Sequence, residues 1–192
     1  MWTSLSKKYY LFLMIIFAIG IILGFIFLIY LDESSKDLIF LNINDWLQNL
    51  ENTNINNIIS HILILSSLFI LSLFIVGLPL VLFFPFYNGF SLGFTLMTFI
   101  DIFGIKGLLY GLIYIIITKG LFLFFSFIFI ISLLKINILV FKRIFHSQKI
   151  SKDNLSLLLK RSLICIAIIL LGDIIIYFGG AKLITLFNFL LI

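Results

Sequence analysis

Apolar residues run along this chain in long blocks rather than in alternation, and most polar residues gather into two segments between them. A helix needs about 20 apolar residues to cross a hydrocarbon core about 30 Å thick, and several blocks reach that length. The two-residue period of barrel strands is missing, so the blocks predict helices. The expected fold is all-α: a polytopic membrane helical bundle of about five transmembrane helices. It forms a single integral membrane domain over residues 1–192, with an amphipathic outer helix between the first and second spans.

The first block, residues 9–31, follows Lys7-Lys8, is long for a secretory signal and has no obvious small-x-small cleavage site. It is expected as an uncleaved span with a cytoplasmic N-terminus. Residues 32–57 carry Asp32, Glu33, Asp37, Asp45 and Glu51 against Lys36 alone, the charge balance of an outer segment. Ser34 or Ser35 can cap a helix there. Its apolar positions Leu38, Ile39, Ile43, Trp46, Leu47 and Leu50 recur at near-helical spacing, opposite Asp45, Gln48, Asn49 and Glu51. Such a helix either closes the bundle or, through Ile43, Trp46 and Leu47, offers a partner-binding surface.

Residues 58–100 hold no charge and are too long for one span, so a turn is expected inside them, at Gly77-Leu-Pro79 or at Phe84-Pro85. Residues 75–119, rich in glycine and almost uncharged, read as the packed centre of the bundle. Gly20 with Gly24, Gly89 with Gly93, and Gly107 with Gly111 form three GxxxG pairs that would let helix backbones approach closely, within one chain or between chains of a homo-oligomer. Asp101 to Lys106 is expected as a short outer turn. Residues 107–134 are interrupted by Thr118-Lys119-Gly120, and the last block by Asp173 and then Gly179-Gly180. An intramembrane lysine costs roughly 2.5–3.5 kcal/mol on insertion scales, so Lys119 should face the interior, snorkel or sit at a helix break. Asp173 is its expected partner by charge.

Composition agrees with the pattern. The chain is 63% hydrophobic with 24 Phe, which leaves too little polar surface to cover a water-soluble globule. The net charge of +5 could suggest nucleic acid, but more than half of the 13 basic residues fall in residues 135–161. That segment is expected as a cytoplasmic basic loop able to touch anionic membrane lipids, and no nucleic-acid partner is inferred. Cys165 lies in an apolar run and reads as a packing residue. With His61 and His146 far apart and no catalytic motif, no metal, cofactor or enzymatic activity is expected.

The run GLPLVLFFPFYNGFSLGFTLMTFIDIFGIKGLLYGLI, residues 77–113, resembles the core of the stage II sporulation protein M family. The plan of a short basic N-terminus, one span, a polar outer segment and four further apolar blocks is similar throughout. The chain departs from that family at Ile117-Thr118-Lys119-Gly120, which has a full charge and no proline, and near Gly179-Gly180-Ala181. The resemblance implies a multipass scaffold in the bacterial cell membrane, acting in sporulation, septal wall thinning and engulfment. Its implied partners are the extracytoplasmic cell-wall hydrolases named stage II sporulation proteins D and P. The alternative from the residues themselves is a small transporter or permease subunit with a polar route near Lys119 and Asp173.

Overall fold

In an apolar surrounding each backbone N–H and C=O must find its partner within its own segment, and helices do this at every residue. The computed structural model describes residues 4–48, 56–74, 77–146 and 152–185, and these fold into five helices with no strand among the described residues. They are α1 (Ser4–Ile29), α2 (Glu33–Gln48), α3 (Asn56–Leu71), α4 (Gly77–His146) and α5 (Lys152–Thr185). Three of them, α1, α4 and α5, are long and apolar enough to cross a membrane.

Helix α4 is a hairpin. Its backbone leaves helical geometry at Gly104, with φ 63° and ψ −142°, a conformation open to glycine because it has no Cβ. The limbs 77–103 and 105–146 run antiparallel from that point, pairing Phe99 with Tyr110 at 5.4 Å and Phe84 with Phe122 at 6.3 Å between ring centroids. The turn expected over residues 101–106 thus narrows to a single residue. Helix α1 runs parallel to the first limb and buries Leu13, Gly20, Gly24 and Leu28 along one stripe, while Leu11, Ile15, Ile22 and Phe27 stay more than half exposed. Helix α5 runs antiparallel to the second limb, and α3 parallel to it, as the neighbours Gly172 with Leu121, His61 with Phe122, and Asn137 with Phe74 require.

Several expected interruptions close up. The α3–α4 break falls just before Gly77, so Pro79 occupies the first turn of α4, where its missing N–H costs nothing, and Pro85 lies buried within the helix. Helix α4 passes through Thr118-Lys119-Gly120, and α5 passes through Asp173 and Gly179-Gly180. The basic segment expected as a loop over residues 135–161 is largely helical: α4 extends to His146 and α5 begins at Lys152. The physical reason is that Leu133, Leu134 and Ile136 remain buried in the core, so the apolar stripe carries the helix past Lys135. Residues 147–151 lie outside the described residues.

The main core is an apolar cluster around Leu13, Leu65, Val81, Phe129, Leu133 and Ile169, and a smaller one around Phe99, Tyr110 and Ile184 lies near the Gly104 turn. Buried hydroxyls turn back onto their own helices: Thr98 donates to the Phe94 carbonyl at 2.8 Å and Ser132 to that of Ile128 at 2.9 Å. No buried side-chain polar atom lacks a partner among the described residues. The helix directions sort the charges by end. Lys7, Lys8, Lys142, Arg143, Lys160 and Arg161 share one end with Asp153, and Asp32, Glu33, Asp37 and Asp101 share the other with Lys36 and Lys106.

Candidate functional site

Two polar contacts sit in the middle of otherwise apolar helices. His61, on the second turn of α3, places Nδ1 2.8 Å from a carboxylate oxygen of Asp173 on α5, and its ring stacks on Phe122 of α4 at 4.5 Å and 18°. The Asp173 side chain is 10% exposed and that of His61 33%. About one turn along α4 from Phe122, Lys119 Nζ donates to the Ser91 hydroxyl at 3.1 Å, joining the two limbs of the hairpin.

The expected Lys119–Asp173 ion pair does not form: each group has a different partner. The reason lies in packing. Gly172 lets α5 approach Leu121 of α4, which carries Asp173 to the α3 side of the second limb, while Lys119 points across the hairpin to the first limb. His61, read from sequence only as too far from His146 to share a metal, is therefore the hydrogen-bonding partner of Asp173. Among the described residues no cluster of three or more His, Cys, Asp or Glu side chains could hold a metal ion.

A third polar contact lies at the basic end. Buried Asn137 donates its side-chain amide to the Phe74 carbonyl at 2.7 Å and the Ser72 carbonyl at 3.3 Å, satisfying the open end of α3. Nothing in the local pattern singles out Asn137; only the unpaired carbonyls of a helix end announce that some donor is needed.

The glycines make the closest helix crossing. A methyl group at Gly20 would overlap the backbone of Phe86 and Phe90, and one at Gly24 that of Phe90 and Phe94. From the other side, a methyl at Gly89 would overlap Phe17 and one at Gly93 would overlap Ile21. Two of the GxxxG pairs therefore face each other at one α1–α4 crossing. The third works within α4: Gly107 lies against the Phe99 backbone and Gly111 against the Leu96 and Phe99 side chains, closing the hairpin below Gly104.

At the opposite end from the basic residues, α2 returns to the bundle. Ile43 packs against a small cluster of Phe99, Tyr110 and Ile184, whereas Leu38 is 63% exposed and Leu41 61%. The side chains of Trp46 and Leu47, the other expected partner-binding residues, lie outside the described residues, as does Leu50. Asp32 rather than Ser34 or Ser35 caps this helix. The Ser35 backbone N–H donates to its carboxylate at 3.2 Å and the Ser34 hydroxyl donates to the same oxygen. Those bonds, with that of Ser34 first, hold the exposed Asp32 carboxyl down at about 2.

No protein-family model matches the chain, and no curated protein or solved structure matches it significantly.

Proposed function

We propose that this protein is a non-enzymatic integral membrane scaffold that crosses the bilayer five times, through α1, α3, the two limbs of α4, and α5. Its basic end faces the cytoplasm, N-terminus included, and the end bearing α2 and the Gly104 turn faces outward. Support comes from the alternating helix directions and from the charge asymmetry between the two ends, which follows the positive-inside rule. The exposed residues of α1 from Leu11 to Ile29 and of α5 from Leu163 to Phe178 are apolar, which suits contact with lipid tails.

The observation that carries the scaffold reading is the use of the interior polar groups. His61, Asp173, Lys119, Ser91 and Asn137 each bond across a helix contact, so they act as cross-links that hold the bundle in one arrangement. Partners would then be met at the outer end, on the exposed side of α2. The resemblance to the stage II sporulation protein M family makes extracytoplasmic cell-wall hydrolases the partners to test. A photo-reactive residue at Leu41, with a second at lipid-facing Phe124 as control, should capture such hydrolases from Leu41 alone. Capture of transport ATPases or permease subunits instead would reverse the reading.

The permease alternative retains one favourable observation: His61 and Asp173 form a titratable pair inside the bundle, with the histidine one-third exposed. Flux of a proton-coupled solute that stops with Asp173→Asn would favour it.

A further inference from the structure

An open groove of about 660 Å³ runs between α5 and the second limb of α4 at the basic end. Lys160 and Arg161 line one part of it, and Phe125, Ile128, Ile164 and Ile168 line the other. We propose that this groove holds one anionic glycerophospholipid, with its phosphate at Lys160 and Arg161 and an acyl chain laid along the apolar walls toward Ile168. The proposal rests on the reading of the chain as membrane-embedded.

Three features commit the groove to that occupant. The first is its division into a charged mouth and an apolar interior, which matches a molecule with a charged head and a hydrocarbon tail. From Lys160 to Ile168 the helix rises about 12 Å, close to the depth of one leaflet's hydrocarbon, about half of 30 Å. The second is its surroundings: Leu157 in its lining and Phe124 beside it are each 64% exposed, so the groove opens onto a surface that lipid tails would cover. The third is charge. Asp153 also lines the groove, but Lys160 and Arg161 outnumber it, and Arg161 lies within electrostatic reach of Lys135 on α4. The surplus is positive, and basic pockets between helices on the cytoplasmic side favour anionic head groups over zwitterionic ones. A soluble peptide would leave the apolar wall half-filled and would have to reach it from within the bilayer.

The full chain in nanodiscs of phosphatidylcholine doped with phosphatidylglycerol, then released for native mass spectrometry, reads the site directly. Phosphatidylglycerol should be retained about tenfold over phosphatidylcholine, a difference of about 1.4 kcal/mol. The Lys160→Gln/Arg161→Gln variant should lose that preference, and Lys142→Gln, at the same end but outside the groove, should keep it. Ile164→Trp, which fills the apolar wall and leaves both cations, should lower retention of bound lipid. Equal retention of the two lipids overturns the proposal, as does a loss as large in Lys142→Gln as in the double variant. Displacement of the lipid by inorganic phosphate alone overturns it in favour of a free-phosphate site. Release of the chain from cells without detergent would instead overturn the membrane reading beneath it.

Discussion

His61 and Asp173, 112 residues apart in sequence, meet through a 2.8 Å contact that ties α3 to α5 where the His61 ring stacks on Phe122. Interhelical polar contacts in membrane bundles average about 0.6 kcal/mol and reach about 1.7. His61→Ala and Asp173→Ala should therefore each destabilise, and the double variant should be less damaged than the sum by about 0.5 kcal/mol or more. Lys119→Ala combined with Asp173→Ala should be additive within about 0.5 kcal/mol. Unfolding in mild detergent with added denaturant measures both cycles. Coupling in the second and none in the first would refute the observed pairing.

At the α1–α4 crossing the glycines leave no room for a side chain. Gly20→Ala or Gly89→Ala must push two backbones apart and should cost about 1–3 kcal/mol, the range of core overpacking. Gly120→Ala, with nothing within 4 Å of the added methyl, should change stability by less than about 1 kcal/mol. Thermal melting of the purified variants separates the cases, and equal losses at Gly20 and Gly120 would mean that the crossing is looser than observed.

Asn137→Leu keeps the branched shape and removes the amide donors, leaving the buried Ser72 carbonyl without that partner, while the Phe74 carbonyl keeps the Gly77 N–H. A buried acceptor left unmade costs about 1–3 kcal/mol. Hydrogen exchange should quicken around residues 72–74 before it does so elsewhere. Unchanged exchange there would show that water or another donor takes over.

The cap on α2 should respond to acid. Because hydrogen bonds hold the folded Asp32 carboxyl at about 2 against an ordinary 3.8, its contribution is fully present above about 4. It fades as pH falls from about 4 through about 2, when protonation turns the carboxylate into a weaker acceptor for the Ser35 N–H. The Ser35 amide resonance should follow that titration in micelles. Asp32→Asn, still an acceptor but not an acid, should hold the amide position steady across the range; a titration that persists in it would assign the effect to another group.

The helical class was legible because uncharged apolar blocks admit few other solutions in a chain with so little polar surface. The hairpin at Gly104 falls inside the turn expected from Asp101 to Lys106, and which of those residues bends is set by the one glycine between them. Charge matching misled at Asp173. Opposite signs joined it to Lys119, whereas a histidine carries no fixed charge to advertise itself, and only the approach allowed by Gly172 decides which helix Asp173 faces. The helical continuation past Lys135 was hidden for a similar reason: its basic residues mark an interface, but the buried Leu133, Leu134 and Ile136 determine the backbone.

The parallel contact between α1 and the first limb of α4 also sets an order of events during synthesis. The glycines that meet there are separated by about 70 residues, so at roughly 5–20 residues per second α1 waits several seconds for its counterpart. Throughout that interval its glycine stripe lacks the limb of α4 that covers it in the folded bundle. Helix α1 suits such a wait: it carries no charge between Lys8 and Asp32, and its remaining faces are apolar. The ribosome thus delivers α1, a helix apolar enough to lodge in the bilayer by itself, before the limb it packs against, and the docking of that limb closes the crossing.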